Sequence, residues 1–209
     1  MIIVDFDHTL FQTKNFVDAI IKVFSRYGVS EEDFRQAYKK SIKDWEDVCG
    51  FGYTFEKNID ELKKMGHDLD VEKLLQELKE LIKKEYLFFD AIDFLEHFKK
   101  EKMVLMTAGD KDFQRLKVET VEIEKYFVQT FYLENGKAKY LKDNIKSSER
   151  IFFVNDNLVE NKAVHELNPE IVIITKINLN KYAVGDAKEA GFPYFETLTE
   201  IKEYIENYE

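Results

Sequence analysis

The feature that most constrains the fold is a strand with no neighbour. Met1-Ile2-Ile3-Val4 is a short apolar run with β-branched residues, which reads as a strand buried on both faces. From about Lys14 to Phe88 the pattern is then helical throughout, so the first strand has nothing close in sequence to pair with. After Phe88 the pattern changes. Ala91 to Lys100 reads as an amphipathic helix and Met103 to Met106 as an apolar strand, with further strands at Val128 to Leu133, Ile151 to Val154 and Ile171 to Ile174. Helices separate them, and such alternation implies parallel strands joined by crossover helices. The first strand must belong to that sheet, near its centre, flanked by the strands that end at Thr107 and Asp156. The helical stretch is then an insert. The expected organisation is an α/β core of residues 1–13 and 89–209 carrying a separate helical lobe at 14–88, in a chain of 209 residues that is long enough for a substantial core.

Within the insert the helix signals are local. Phe16, Val17, Ile20, Ile21, Val23 and Phe24 form one stripe that stops at Tyr27-Gly28, a C-terminal signal. Ser30 and Asp70 each precede a new apolar periodicity and read as N-caps. Between them lies a break at Cys49-Gly50-Phe51-Gly52-Tyr53, where two glycines permit turns and Phe51 and Tyr53 fall off any helical stripe.

The first strand ends in chemistry. Asp5 and Asp7 stand at i and i+2 and share a face of an extended backbone, with the Thr9 hydroxyl two residues further on. Two carboxylates at a strand's carboxyl end, where open α/β sheets bind ligands, call for a positive partner, and Mg²⁺ suits oxygen donors. The run Ile3-Val4-Asp5-Phe6-Asp7-His8-Thr9-Leu10-Phe11 resembles the first motif of the haloacid dehalogenase (HAD) superfamily, an apolar strand followed by DxDx[TV][LV], although that family most often has Gly in place of His8. Three further stretches fit the family in order. Thr107-Ala108-Gly109 after an apolar strand resembles the second motif. Lys137 at the start of Lys137-Ala138-Lys139-Tyr140-Leu141 resembles the third, with Lys139 as a rival two residues on. Ile151 to Asp156, with Glu160 four residues later, resembles the fourth, Asn155 standing for the usual Gly or Asp.

The resemblance implies an α/β HAD-like fold, a Rossmann-like parallel sheet with an inserted helical cap, and assigns roles. Asp5 is the nucleophile that forms an aspartyl-phosphate, and Asp7 the general acid/base. Thr107 hydrogen-bonds a phosphoryl oxygen, which the small Ala108 and Gly109 let backbone N–H groups approach. Lys137 neutralises developing charge. Asp156, with Asp5 and Asp7, holds Mg²⁺, and Glu160 holds Lys137 or a metal-bound water. Asp156 can also cap the helix after it. The cap break at Phe51 and Tyr53 is where substrate choice is expected. The implied activity is a Mg²⁺-dependent phosphatase acting on a small phosphorylated metabolite. Asp7 argues against the dehalogenase branch, whose leaving halide needs no proton. A phosphotransferase or sugar-phosphate mutase uses the same two acids. A phospho-receiver domain lacks an acid after the lysine and lacks a helical insert, and a catalytically idle interaction protein would be missing motif residues.

Composition narrows the rest. A net charge of −10 argues against a nucleic-acid surface. The single Cys49 excludes an internal disulfide and a multi-cysteine zinc site. No apolar run approaches the ~20 residues of a membrane span. The N-terminus enters a strand without a basic or signal-type segment, which predicts a cytoplasmic protein.

Overall fold

The structure is a computed structural model that describes residues 1–42, 52–98, 100–134, 136–144 and 150–208. Its centre is a parallel sheet of six strands among the described residues: β1 (Ile2–Val4), β2 (Met103–Ala108), β3 (Gln129–Leu133), β4 (Ile151–Asn155), β5 (Ile171–Lys176) and β6 (Tyr194–Phe195). The order across the sheet is β3-β2-β1-β4-β5-β6. The lone N-terminal strand is therefore inside the sheet, pairing Ile2 with Met103 on one side and Phe152 on the other. The chain runs outward from β1 through β2 to β3 and then returns to the other side of β1 with β4. That reversal opens a crevice at the carboxyl end of β1, the place such sheets offer a ligand. Strand β3 begins one residue later than its apolar pattern suggests, because Val128 is 56% exposed. The two-residue β6 carries too little periodicity to read from sequence.

Alternation along the strands builds two apolar layers. Ile2, Val4, Met103, Leu105, Phe152 and Val154 face one side, and Ile3, Val104, Met106 and Phe153 the other. The second layer is covered by α7 (Lys137–Asn144) and α8 (Leu158–Leu167), through Ala138, Leu141 and Val164. The first is covered by α5 (Ala91–His97), α6 (Lys111–Thr120) and α10 (Leu198–Glu206). Helix α9 (Val184–Ala190) precedes β6. Helix α5 stops three residues short of Lys100, where Phe98 turns extended.

The insert contributes α1 (Thr13–Arg26), α2 (Glu31–Ser41), α3 (Phe55–Lys64) and α4 (Val71–Glu80). Ser30 and Asp70 cap α2 and α4 as their positions indicate, each side chain accepting the backbone N–H three residues on. Thr54 caps α3 in the same way. The apolar cluster of the first layer continues without interruption into these helices through Phe16, Ile20, Phe24, Phe55 and Leu74. An aromatic seam makes the join. Phe11 stacks on Phe6 at 5.0 Å and meets Phe16 edge-on at 5.3 Å, while Phe55 meets Phe113 of α6 at 4.9 Å. Such pairs add about 0.5–1.5 kcal/mol each beyond the area they bury. Among the described residues no helix is long and apolar enough to cross a membrane.

Candidate active site

Asp5 follows β1 directly, its N–H bonded to Val154 O at 2.9 Å, so the sheet itself fixes its backbone. The next turn is tight. His8 adopts φ 62°, in the left-handed region that favours glycine, which accounts physically for the glycine usual at this position of the motif. The turn brings the Thr9 hydroxyl back to Asp5, donating to Oδ2 at 2.9 Å.

Lys137, the first residue of α7, reaches the other oxygen. Its Nζ donates to Asp5 Oδ1 at 2.6 Å and to Glu160 Oε2 at 2.8 Å, with Asn155 Oδ1 at 3.3 Å. Of the two lysines it is Lys137 that reaches Asp5: Lys139 is exposed, whereas the Lys137 and Asp5 side chains are 4% and 6% exposed. Asn155 braces the cluster. Its Nδ2 donates to Glu160 Oε2 at 3.1 Å and to Asn161 Oδ1 at 2.9 Å, and Asn161 in turn donates to the Thr175 hydroxyl at 3.0 Å. Asp156 does not cap α8. Asn157 does, accepting from Val159 and Glu160, because the Asp156 carboxylate is turned to Asn178, whose Nδ2 donates to Oδ2 at 2.9 Å.

Burial dominates the electrostatics. It pushes Asp5 up to about 7 against the opposing pull of Lys137, with the Asp156 and Glu160 charges adding to the rise. Burial likewise pushes Asp156 up to about 6, despite the hydrogen bond from Asn178. Lys137 goes the other way: burial opposes its charge, yet Asp5 and Glu160 hold its pKa above the ordinary lysine value. The cluster thus holds more buried negative groups than its one lysine satisfies.

Thr107, near the end of β2 beside β1, is 1% exposed and its hydroxyl has no hydrogen-bond partner. The Gly109 N–H is committed to Leu133 O at 2.8 Å, so it does not face the site as a free donor. Tyr53 packs its ring edge-on against Phe113 at 5.5 Å, and its buried hydroxyl also has no partner. Phe51 lies outside the described residues.

Asp7 has surroundings that its motif does not reveal. Lys117 Nζ donates to both its oxygens, at 2.7 Å to Oδ1 and 2.8 Å to Oδ2. Thr13 donates to Oδ1 at 2.6 Å and Gln114 to Oδ2 at 2.9 Å. Burial alone would raise Asp7, but the charge and hydrogen bonds of Lys117, with the bond from Thr13, bring it down to about 2. The available signal was faint: Lys117 lies four residues after Phe113 and four before Val121, a lysine on an apolar stripe. Tyr38 of α2 stands in the field of Asp7, its hydroxyl pKa raised by burial and by that charge.

Among the described residues no three His, Cys, Asp or Glu side chains gather as a metal cage, so Asp5, Asp7 and Asp156 do not form a three-carboxylate set. Beside the crevice is a cleft of about 250 Å³ lined by residues including His8, Gln12, Phe88, Lys176, Asn178 and Glu196.

No protein-family model matches the sequence, and no curated protein does. Solved structures, by contrast, match over nearly the whole chain. A protein of Burkholderia xenovorans LB400 described as a haloacid dehalogenase-like hydrolase is 12% identical, with 97% of this chain and 94% of that one covered and a TM-score of 0.76. L-2-haloacid dehalogenase from Xanthobacter autotrophicus is 12% identical over 100% and 98%, with a TM-score of 0.62. YfnB from Bacillus subtilis, described as a HAD hydrolase bound to magnesium, is 14% identical over 97% and 96%, with a TM-score of 0.60. With its central β1, its carboxylates at strand ends and its helical insert, the chain has the fold of the haloacid dehalogenase-like hydrolases.

Proposed function

We propose that the protein is a phosphomonoester hydrolase working through a covalent intermediate on Asp5, with residues 14–88 as a cap over the site. The observation that carries this reading is the buried Asp5–Lys137–Glu160 cluster at the end of β1, with the partnerless Thr107 hydroxyl near the end of the neighbouring strand β2. A buried hydroxyl without a partner costs about 1–3 kcal/mol, a cost relieved when an anionic oxygen accepts its proton. Lys137 supplies fixed positive charge beside the carboxylate that would attack, the preorganised arrangement that phosphoryl transfer needs.

In the first step an Asp5 oxygen attacks phosphorus in line, forming an O–P bond as the ester P–O bond breaks. The leaving oxygen takes a proton from Asp7, which carries one only after the Thr13 hydroxyl turns away from it, because its present bonds hold it ionised; Lys117 then stabilises the carboxylate left behind. In the second step Asp7 takes a proton from water, the hydroxide oxygen bonds to phosphorus, and the acyl-phosphate bond breaks to regenerate Asp5 and release inorganic phosphate. Lys137 and Thr107 hold the phosphoryl oxygens through both steps. The presence of Asp7 supports phosphoryl over halide chemistry, because an alkoxide leaving group needs a proton and a halide does not.

The donor set fits a magnesium ion. Asp5 and Asp156 are paired buried carboxylates whose ionised forms repel, and Mg²⁺ is commonly held by one or two carboxylates together with water and phosphate oxygens. Such an ion would lower the charge of the transferring group. The Asp7 carboxylate is engaged on both oxygens, which leaves its main-chain carbonyl as the part of that residue able to serve. A helical cap over the site favours a small metabolite as substrate, and the Tyr53 hydroxyl is a candidate contact for its leaving group.

The test is a screen of phosphorylated metabolites for phosphate release with Mg²⁺ and with chelator. The expected result is turnover by the wild type with Mg²⁺, none with chelator, and none by Asp5→Asn. A mass spectrum of acid-quenched protein should show phosphate on the peptide containing Asp5. Turnover by Asp5→Asn at wild-type rates would overturn the reading. Transfer of the phosphoryl group to an added sugar phosphate, in place of water, would make the protein a transferase using the same residues.

A further inference from the structure

We propose that Lys117 is a positioning residue for the reaction: it fixes the Asp7 carboxylate in the orientation from which that group exchanges a proton with the substrate's leaving oxygen. The proposal rests on the phosphomonoester reading, and its grounds are geometric. An ionised carboxylate offers roughly four acceptor directions. In the ionised group all four are used, by Thr13 and Lys117 on Oδ1 and by Gln114 and Lys117 on Oδ2; the Thr13 hydroxyl, which also lies 3.4 Å from Phe11 O, can turn there and free an Oδ1 lone pair for the proton. Lys117 alone touches both oxygens, so it sets the plane of the carboxylate, whereas Thr13 and Gln114 each fix one end.

Lys117 is itself an unusual tenant of its place. Its side chain is 3% exposed, against 24% for Asp7, and its ammonium lies 5.2, 5.3 and 5.5 Å from the ring centres of Phe6, Phe11 and Phe113. Burying an ammonium among rings is costly unless it is paired, and Asp7 is the carboxylate it pairs with. The rings give Lys117 little room to move, so the lysine end of the pair is the fixed one. Rigidity is transmitted further. Gln114 Nε2 also donates to Ala108 O at 3.3 Å, tying α6 to the residue after Thr107. One helix face, with Gln114 and Lys117 three residues apart, thereby links the group that would handle the proton to the strand end that would hold the phosphoryl oxygen. Reaction geometry tolerates little error, and a displacement of about 1 Å can cost two orders of magnitude in rate.

A residue that acts through the proton donor leaves a mark that a merely structural residue does not. Its loss should matter in proportion to how much the leaving group needs a proton. The experiment compares wild type, Lys117→Met and Lys117→Arg on an alkyl phosphomonoester and on p-nitrophenyl phosphate, with Mg²⁺ present. For Lys117→Met we expect kcat on the alkyl ester to fall by about tenfold or more, and on the aryl ester by about threefold or less, with KM nearly constant. Lys117→Arg should recover most of the loss, because a guanidinium can also bond both carboxylate oxygens. In an Asp7→Asn background the further loss from Lys117→Met should shrink to about twofold or less, since the residue it acts through is already altered. Equal losses on both esters, or full additivity with Asp7→Asn, would overturn the proposal.

A structural readout separates this proposal from the reading beneath it. In a crystal structure of Lys117→Met the Asp7 carboxylate should leave its present orientation; an unmoved Asp7 would overturn the positioning role whatever the activity. If the wild type turns over neither ester while Asp7 does move in the variant, the phosphatase reading fails and the positioning contact stands. Should Lys117→Met not fold, Lys117→Gln, which keeps a donor and removes the charge, takes both measurements with the same expectations.

Discussion

Two carboxylates two residues apart, Asp5 and Asp7, are each paired with a buried lysine at similar distance, yet their electrostatic outcomes are opposite. Asp5 is driven up to about 7 and Asp7 down to about 2. The difference lies in how many anions share each cation. Lys137 is divided between Asp5 and Glu160, and Asp156 adds to the negative charge felt by Asp5. Lys117 gives both of its short bonds to Asp7, which Gln114 and Thr13 then complete. One region is short of positive charge and suited to receive it from a ligand. The other is already closed. The residue types and the lysine distances are alike in both; the number of competing anions, the neutral donors and the exposure differ.

Removing the lysines should expose that difference. The largest effect is expected for Lys137→Met, which strands Asp5 and Glu160 as buried acids without a cation. Loss of one partner of a buried pair costs about 3–5 kcal/mol, readable as a lower midpoint in urea. A midpoint within error of the wild type would show that the cluster is not held by its charge. Lys117→Met should cost less, about 1.5–3 kcal/mol, because Asp7 is partly exposed and retains two neutral donors.

Proton linkage gives a milder and more discriminating contrast. For Asp5 and Asp156 the folded pKa lies above the unfolded value of 3.8, so the folded protein binds more protons between about pH 4 and 7. Their contribution to stability must therefore fall as pH rises through that window. For Asp7 the folded value lies below the unfolded one, so its contribution is present above about pH 4 and is lost as pH falls towards 2. Metal-free protein should accordingly melt about 5 °C lower at pH 8 than at pH 5, with Mg²⁺ removing most of the gap. Calorimetry that finds no such difference, or no effect of Mg²⁺, would erase the asymmetry between the two pairs. The smallest effect belongs to Lys139→Ala. Exposed beside Lys137, this residue should change stability by about 0.5 kcal/mol or less and leave turnover unaltered.

Much of the architecture was legible because it is written in local patterns. The unpaired first strand required a central place, and the caps Ser30 and Asp70 announced their helices. Asp5, Thr107, Lys137 and Asp156 each follow or close an apolar run, or open the helix after one, so their common end of the sheet could be read in advance. What could not be read is what depends on long-range side-chain contact. Lys117 looks like one more lysine on a surface helix until α6 is laid against the β1 turn. Asn157 displaced Asp156 as the cap of α8 because Asn178, from the far end of β5, claims the Asp156 carboxylate. The commitment of the Gly109 amide to Leu133 likewise depends on β3 lying beside β2.

The central place of β1 also dictates an order of events during synthesis. Ile2 is made before both of its neighbours, Met103 and Phe152, which follow roughly one hundred and one hundred and fifty residues later. At about 5–20 residues per second, the strand waits several seconds or more with both edges open. In that interval the completed segment is the helical insert, whose contacts are local and quickly made. An apolar strand with two free edges is a template for wrong pairing, and this one is only three residues long before Asp5. Its brevity and its acidic end limit what a stray strand could add to it while the nascent chain is still incomplete.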